Sequence, residues 1–316
     1  MKPANLKTKI FLDSGDPAET REALSVLGFL DGQTTNPSLI AKNPDTAGKN
    51  FSQDELLKFY RGVVEEVSSL IPKGSVSIEV YADSRTSAEQ MLEQGRQFFK
   101  WIPNSHIKYP TIIEGLKAAE ISVKEGMRVN MTLVFSQQQA AAVYSATKGA
   151  KKGDVFLSPF VGRLDDRGEN GMDLIANIIR MYRNTPSLNP SPLSASGRGK
   201  EGGDGPSFAK ASEGKHVEVL VASVRSMEHF TKSLELGADI ITAPLKILKE
   251  WTAVGKPTSP RPSPHEGRVA EGREGLRPIL YQEINLTKPW QEYNLYHDLT
   301  DKGIEKFAAD WNGLIV

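Results

Sequence analysis

The sequence of this 316-residue chain predicts an α/β fold, a single (β/α)8 TIM barrel with two disordered surface insertions. Three observations support this prediction. Short apolar runs alternate with amphipathic segments, the amphipathic segments begin at helix-capping residues, and two segments rich in Gly, Pro and Ser interrupt the pattern. Alternating strands and helices indicate parallel β/α architecture, and eight strands close a barrel. A doubly wound open sheet is the alternative, but it usually has fewer strands and a glycine-rich first turn.

Eight apolar runs predict the strands. They lie at residues 9–13, in a run ending at 32–35, and at 76–80, 106–109, 129–134, 155–157, 217–221 and 239–242. Runs of this length without polar alternation are typical of parallel strands that are covered on both faces.

Helices are predicted after these strands. Five of them start at a capping residue with an acid or amide three positions later, at Asp16/Glu19, Ser52/Glu55, Thr86/Glu89, Thr111/Glu114 and Ser136/Gln139. The later helices are predicted near 172–182, 226–236 and 244–251, with a terminal helix ending near Trp311.

Two segments differ in composition from the rest of the chain. Residues 186–215 include 16 Gly, Pro or Ser among 30, and residues 256–277 are similarly poor in apolar side chains. Neither can bury enough surface to offset the entropy of ordering, so we expect solvated insertions within one domain spanning 1–316. Both are expected to lie away from the carboxyl ends of the strands. The G-x-G-x-x-G sequence at 197–202 lies in the first insertion and lacks the strand and helix that a dinucleotide site requires.

Composition excludes several classes of function. The 39 basic and 39 acidic side chains cancel, which leaves no electrostatic footprint for nucleic acid or for a membrane surface. Cysteine is absent, which excludes disulfides and thiolate metal sites and favours a cytoplasmic protein. No apolar run suits a signal peptide or a transmembrane helix. The histidines show no metal-ligand spacing, and His229 is expected to be a surface residue or a hydrogen-bonded one, so we expect neither metal nor cofactor.

Polar side chains lie at the carboxyl ends of the predicted strands, where barrel enzymes place their active sites. Asp13 closes the first strand, Glu79 interrupts the third and Lys108 lies in the fourth. The other such residues are Asn36 after the second strand, Asn130 and Thr132 on one side of the fifth, and Arg163, Ser223 and Arg225 after the sixth and seventh. Taken singly, Glu79 and Lys108 are equally compatible with a structural ion pair, and Asp13 with a turn.

Together these residues suggest Schiff-base chemistry on a phosphorylated sugar. Burial favours the neutral form of a lysine, which is the nucleophilic form. Carboxylates can move the protons that imine formation and carbon–carbon cleavage require. Two arginines offer forked hydrogen bonds to a phosphate.

Seven segments resemble the transaldolase family, in order and over almost all of the chain outside the insertions. They are IFLDSGDP, DGQTTNPSLIAK, VSIEV, IKYPTIIEGLKAA, NMTLVFSQQQA, SPFVGRLDD and VASVRS, and YHDLTDKGIEKFAADW resembles the last helix of the family. The resemblance implies a cofactor-free class I aldolase-type barrel. Such an enzyme moves a dihydroxyacetone unit from a ketose phosphate to an aldose phosphate in the pentose phosphate pathway.

The resemblance also implies a role for each matching residue. Lys108 is implied as the Schiff-base lysine, Asp13 as the carboxylate that handles the proton of the cleaved hydroxyl, and Glu79 with Thr132 as the pair that holds a water. Substrate contacts are implied at Thr34, Asn36, Asn130, Ser158, Phe160, Arg163, Ser223 and Arg225, with the phosphate bound by Arg163, Ser223 and Arg225. Tyr109 departs from the family, in which a smaller aliphatic residue is usual, and we expect it to face outward.

Two alternatives remain. The related fructose-6-phosphate aldolases share the barrel and the lysine, but they tend to carry glutamine where this chain has Glu79 and differ around SPFVGR. A non-catalytic barrel that only binds sugar phosphates is disfavoured by the presence of Lys108, Asp13 and Glu79 together. Sugar phosphates are therefore the expected partners, with neither nucleic acid nor membrane. The oligomeric state is not fixed, and a homo-oligomer is compatible with the sequence.

Overall fold

Eight parallel strands form a closed barrel in sequence order in the computed structural model, which describes residues 1–184, 216–258 and 275–316. The strands are β1 (Lys9–Asp13), β2 (Gly32–Thr34), β3 (Ser75–Glu79), β4 (Ser105–Pro110), β5 (Val129–Val134), β6 (Val155–Pro159), β7 (Val217–Val221) and β8 (Ile240–Ala243). The barrel closes where β1 pairs with β8. The predicted TIM barrel is therefore confirmed, and an open doubly wound sheet is excluded.

Helices surround this barrel. They are α1 (Pro17–Leu27), α2 (Pro37–Ala41), α3 (Gln53–Leu70), α4 (Ala88–Phe99), α5 (Ile113–Lys124), α6 (Gln137–Ala146), α7 (Val161–Asp166), α8 (Gly171–Arg183), α9 (Met227–Leu236), α10 (Leu245–Ala253) and α11 (Asp298–Asn312). The short helices α2 and α7 were not predicted, because one turn and a half gives no helical periodicity to detect. Helix α11 crosses the carboxyl end of the barrel and packs on α2 and β5. Among the helices of the described ranges, none combines the length and the apolarity that crossing a membrane requires.

Three of the predicted helix caps are present. Ser52 and Glu55 form a complete capping box at α3, and the Ser136 hydroxyl accepts from the Gln139 amide at α6. Asp16 caps α1 by accepting from Ala18 N at 2.8 Å. These side chains satisfy amide donors that the first turn of a helix leaves unpaired.

The other cap predictions were wrong in detail. At α4 the capping box uses Ser87 and Gln90 instead of Thr86 and Glu89, because the Thr86 hydroxyl donates to Asp83 instead. Helix α5 begins after Ile112 without a side-chain cap, because the Thr111 hydroxyl donates to Thr132 O at 2.8 Å.

In α1, too, a side chain predicted to take part in the cap bonds to another partner. Glu19 does not complete a capping box with Asp16, because its carboxylate accepts from the Ser14 hydroxyl. Tertiary and loop contacts thus decide which of several neighbouring polar side chains caps a helix.

Alternate residues of each strand point into the barrel, and aromatic rings fill much of its centre. Phe11 and Phe156 meet edge to face with their ring centroids 5.9 Å apart. A Cβ at Gly32 would lie 2.5 Å from the Phe11 ring, so glycine is required there. Tyr109 faces outward as predicted, since its hydroxyl lies 3.0 Å from Ser122 Oγ on α5.

The predicted insertions lie mostly outside the described residues, as does the G-x-G-x-x-G sequence at 197–202. The first lies outside the described residues, and the end of α8 and the start of β7, which flank it in the chain, lie at the amino end of the barrel. The expectation was wrong for Arg277, the last residue of the second predicted insertion, which lies at the carboxyl end of the barrel. Arg277 N donates to Gly168 O at 2.8 Å, in the loop between α7 and α8, which lies at the carboxyl end because α7 directly follows β6.

Candidate active site

The carboxyl ends of the strands enclose a cavity of about 250 Å³. Nine of the predicted site residues line it, namely Asp13, Thr34, Asn36, Lys108, Ser158, Phe160, Arg163, Ser223 and Arg225. A larger groove of about 790 Å³ lies on the outer surface between α4, α5 and residues 290–296, away from the strand ends. We assign the candidate site to the smaller cavity because it gathers a buried lysine, a partly buried carboxylate and two arginines, as an active site requires.

Lys108 lies at the floor of this cavity and forms an ion pair with Glu79. Their strands pair so that the two residues are direct neighbours, and Lys108 Nζ lies 2.9 Å from Glu79 Oε2. Only 3% and 4% of the two side chains are exposed. Lys108 Nζ also donates to Thr35 O at 3.0 Å. The ion pair between Glu79 and Lys108, with which the sequence is compatible, is therefore present, and it lies within the candidate site.

Two buried polar atoms near this ion pair lack a hydrogen-bond partner. Among the described residues they are Glu79 Oε2, whose contact with the ammonium is an ion pair without hydrogen-bond alignment, and Thr132 Oγ1. Glu79 is on β3 and Thr132 on β5, the two strands that flank Lys108 on β4. Buried polar groups are nearly always paired, so these two atoms are suited to bind a small polar molecule.

The two carboxyl groups of the site have raised pKa values. Burial raises the pKa of Asp13, opposed by a hydrogen bond from Thr34 and by the charges of Lys108 and Lys42. Burial also raises the pKa of Glu79, opposed first by Lys108. Carboxyl groups of this kind can take up and release protons nearer neutral pH than ordinary ones, as general acid–base catalysis requires.

Asp13 is held in place by a short chain of hydroxyl groups. Thr34 Oγ1 donates to Asp13 Oδ1 at 2.6 Å and also lies 2.6 Å from Thr242 Oγ1. Because this chain crosses from β1 to β2 and β8, three strand ends fix the orientation of one carboxylate.

Arg163, in α7, is held between two aromatic rings. Its guanidinium lies 5.2 Å from the ring centroids of both Phe160 and Phe307. A Cβ at Gly303 of α11 would lie 2.8 Å from Arg163 Nη1, so this glycine allows the guanidinium to approach the helix backbone. The rings stabilise the cation and limit its freedom to move.

Arg225 lies beside Arg163 at the end of β7. Its guanidinium pairs with Asp166, and a Cβ at Gly162 would lie 2.5 Å from its Nε atom. Ser223, two residues before Arg225, has a φ of 57°, in the left-handed region that non-glycine residues seldom adopt. Such backbone strain is typical of functional sites.

His229 is buried and hydrogen-bonded, so the expectation of a surface position was wrong and that of a bonded residue is confirmed. Its Nδ1 accepts from Arg225 N at 3.2 Å, and its Nε2 lies 2.7 Å from Asp165 Oδ2. Nδ1 accepts, so in the neutral ring Nε2 carries the proton and donates to Asp165. The imidazole thereby fixes the backbone that carries Arg225.

The two predicted asparagines occupy different positions. Asn36 caps α2 by accepting from Leu39 N at 2.9 Å, and it also lines the cavity. Asn130 lies deeper in the barrel, where it donates to Ser77 Oγ at 3.0 Å and accepts from Ser158 Oγ at 2.7 Å. Asn130 therefore orients Ser158, which lines the cavity, while a direct substrate contact of its own stays a prediction.

The sequence did not identify five further polar or aromatic residues that line the cavity. They are Ser38, Lys42, Thr242, Lys306 and Phe307. Ser38 lies within the matching DGQTTNPSLIAK segment and could have been inferred from its neighbours. Lys306 and Phe307 reach the cavity only because α11 crosses the barrel, which no local pattern predicts. In the part of the chain that the structure describes, no group of three or more His, Asp or Glu side chains is arranged to hold a metal ion.

Comparisons with known proteins agree with this geometry. The family model described as transaldolase/fructose-6-phosphate aldolase matches residues 10–315. A probable transaldolase of Dehalococcoides mccartyi is 31% identical over 97% of this chain and 99% of its own length. A probable transaldolase of Parvibaculum lavamentivorans is 34% identical over 96% of each chain. A solved mandelate oxidase aligns at 11% identity over 76% of this chain and 62% of its own, with a TM-score of 0.37, which is too low to carry an argument.

Proposed function

The chain belongs to the transaldolase/fructose-6-phosphate aldolase family, and on that premise we propose that it is a transaldolase acting through a Schiff base on Lys108. It would transfer a dihydroxyacetone unit reversibly from sedoheptulose 7-phosphate or fructose 6-phosphate to glyceraldehyde 3-phosphate or erythrose 4-phosphate. Interconversion of these sugars is the chemistry of the pentose phosphate pathway, and we propose that the enzyme acts there, in the cytoplasm.

One observation carries this proposal. The buried ion pair of Lys108 with Glu79 lies in the same site as a second, partly buried carboxyl group, Asp13, and two arginines line another wall of the cavity. A Schiff-base aldolase needs an amine, groups that move protons and an anion site at a fixed distance from the amine. A purely structural ion pair needs neither of the last two.

The first step is formation of the imine. Glu79 accepts a proton from the Lys108 ammonium, and the freed amine attacks C2 of the ketose. The carbinolamine hydroxyl then takes that proton back and leaves as water, so that ammonium and ketone give iminium and water with no other reactant. Glu79 Oε2 and Thr132 Oγ1, the two buried atoms without a hydrogen-bond partner, support a role for this pair in holding the departing water.

The second step is cleavage of the bond between C3 and C4. Asp13 removes the proton of the C4 hydroxyl while the bonding electrons move into the iminium, which becomes an enamine. The raised pKa of Asp13 supports this role, because its carboxyl group can hold the proton until the acceptor arrives. Addition of the enamine to an aldose phosphate and hydrolysis of the new iminium reverse these steps.

The phosphate of the sugar would bind to Arg163, Arg225 and Ser223. Both arginines line the cavity beyond Lys108, and Arg163 is held by two rings and Arg225 by its ion pair with Asp166. Guanidinium groups that are already oriented lose little entropy when they bind a phosphate.

Borohydride trapping tests the proposal. The enzyme is incubated with fructose 6-phosphate and borohydride, and the modified peptide is identified by mass spectrometry. We expect a reduced adduct on Lys108. In a parallel incubation without borohydride, we expect glyceraldehyde 3-phosphate and sedoheptulose 7-phosphate to form only when erythrose 4-phosphate is present as the acceptor.

The other outcomes are also informative. Trapping on Lys108 with steady release of free dihydroxyacetone would identify fructose-6-phosphate aldolase activity. A folded enzyme that yields no adduct and no transfer would contradict the proposal and indicate a barrel that only binds sugar phosphates.

A further inference from the structure

A second cavity lies behind Glu79, on the side away from the substrate cavity. It measures about 370 Å³ and lies between α3, α4 and the end of α11. We call it the back cavity. Its rim includes Gln53 and Asn312, both exposed, so the back cavity opens to solvent. Its inner end includes Glu79, which is buried.

A much smaller cavity shares lining residues with both the back cavity and the substrate cavity. It measures about 10 Å³, close to the least volume that holds one water molecule. Glu79, Pro37 and Tyr81 line both this small cavity and the back cavity. Phe307 lines both the small cavity and the substrate cavity. Glu79 therefore lines a water-sized space that adjoins the back cavity at Pro37 and Tyr81 and the substrate cavity at Phe307.

The walls of the back cavity are polar near Glu79. Tyr81 N donates to Gln94 Oε1, and Asn312 Nδ2 donates to Tyr81 Oη at 3.1 Å. Apolar side chains such as Leu57 and Phe98 complete the wall. A passage with polar groups along an otherwise apolar wall can conduct water without holding it tightly.

We propose that the back cavity is the route by which water leaves and returns to Glu79 during imine formation and hydrolysis. This inference rests on the proposed function. Imine formation releases one water while the sugar still fills the substrate cavity, and hydrolysis consumes one while the product fills it. Glu79 Oε2, which is ion-paired with Lys108 and has no hydrogen-bond partner, lies beside the amine at which that water is released and consumed. Tyr81 and Gln94 are positioning residues of this route.

Incorporation of ¹⁸O from solvent water into the sugar measures how readily the released water exchanges with solvent. When fructose 6-phosphate and enzyme are mixed in ¹⁸O-labelled water, each cycle of imine formation and hydrolysis can replace the C2 oxygen of the sugar. Replacement requires the expelled water to exchange with solvent before hydrolysis. We expect the unaltered enzyme to label the sugar faster than an enzyme-free solution does.

Filling the back cavity should block this exchange. Leu57→Trp adds bulk to its wall. We expect the rate of ¹⁸O incorporation at C2, divided by the amount of imine that borohydride traps, to fall by about fivefold or more. Transfer of the dihydroxyacetone unit should continue, with the original C2 oxygen kept in the sugar. Leu57→Met conserves the side-chain volume and should label at the unaltered rate. Gln53→Trp closes the exposed rim instead and serves as the second test if Leu57→Trp does not fold.

Failure of this inference differs from failure of the proposed function. A folded Leu57→Trp or Gln53→Trp enzyme that labels the sugar at the unaltered rate would overturn the route. So would an unaltered enzyme that forms the Lys108 adduct without labelling the sugar. If the unaltered enzyme forms no adduct at all, the proposed function fails first and the route with it.

Discussion

The two ends of the barrel interior each contain a lysine–glutamate ion pair, but they differ in how completely their polar groups are paired. At the amino end, Lys9 Nζ lies 3.1 and 2.9 Å from the two carboxylate oxygens of Glu218. At the carboxyl end, Lys108 contacts one oxygen of Glu79, and that oxygen and Thr132 Oγ1 lack hydrogen-bond partners. Lys9 thus bonds both carboxylate oxygens of its glutamate, whereas Lys108 contacts one oxygen of its own.

His106, a buried histidine at the amino end, also has a partner for each of its polar atoms. His106 lies 2.8 Å from Ser75 Oγ through Nδ1 and 2.8 Å from Gly153 O through Nε2. Its ring stacks on Phe156 with the centroids 4.0 Å apart. Barrel proteins carry chemistry at the carboxyl end and stability at the amino end. The comparison suggests that incomplete pairing, and not the presence of buried charge, marks the functional end.

The strongest test exchanges the two lysines in turn. Lys108→Met removes the nucleophile, and we expect kcat to fall by roughly four orders of magnitude with loss of the borohydride adduct. Lys9→Met is the matched control and should change kcat by less than about twofold, because it lies at the far end of the barrel. Steady-state transfer assays on both variants measure this. Comparable losses in both would refute the contrast between the ends.

The two glutamates provide the next test. Glu79→Gln keeps the size of the side chain but cannot carry a proton between amine and carbinolamine, so we expect kcat to fall by roughly 10²- to 10⁴-fold. Imine formation in a single turnover, followed by rapid trapping, should slow by a similar factor. Glu218→Gln should leave this rate unchanged and lower the free energy of unfolding instead, because its partner Lys9 loses a charged hydrogen bond. A Glu218→Gln enzyme that is slow in imine formation would argue against this division.

Arginines at the two ends allow a third comparison. Arg225→Met removes one guanidinium from the proposed phosphate site, and we expect KM for fructose 6-phosphate to rise by roughly 10- to 100-fold. KM for unphosphorylated fructose should not change. Arg128 lies at the amino end, where it donates to Ser105 O and Pro103 O, and Arg128→Met should leave both KM values unchanged. An equal rise for both sugars in Arg225→Met would mean that this arginine does not bind the phosphate.

Much of the fold follows from local sequence, because buried parallel strands are short apolar runs that flanking helices separate. The predictions of helix caps failed where neighbouring polar side chains compete for the same position. Thr86 and Ser87 both offer a capping hydroxyl, and a bond from Thr86 to Asp83 decides between them. The short helices α2 and α7 lack the length to show a period.

The site was predictable to the extent that its residues follow strands. Lys108, Glu79 and Asp13 are polar residues in apolar runs, which is a detectable signal. Lys306 and Phe307 line the cavity only because α11 crosses the barrel, and their sequence pattern is that of any surface helix. The unpaired atoms of Glu79 and Thr132 are also a property of the assembled barrel, since pairing depends on which groups meet.

Acid stability is the smallest expected effect, and His106 is the residue that tests it. Burial lowers the pKa of His106 from 6.5 to about 3. In this interval the unfolded chain binds a proton that the folded chain does not, so the free energy of unfolding should fall by ~1.4 kcal/mol for each pH unit below 6.5. His106→Gln should lack this slope, although it starts from a lower stability. Urea unfolding from pH 7 down to about 4.5 measures it.

The carboxyl end should behave with the opposite sign. Burial raises the pKa of Glu79, so the folded chain keeps that proton to a higher pH than the unfolded chain does. Its contribution to the free energy of unfolding is therefore present below the ordinary pKa of a glutamate and is lost as the pH rises through the raised value. Glu79→Gln should remove that loss and leave the His106 slope intact. If both variants changed the slope in the same direction, the two ends would not differ in the way that their hydrogen bonding indicates.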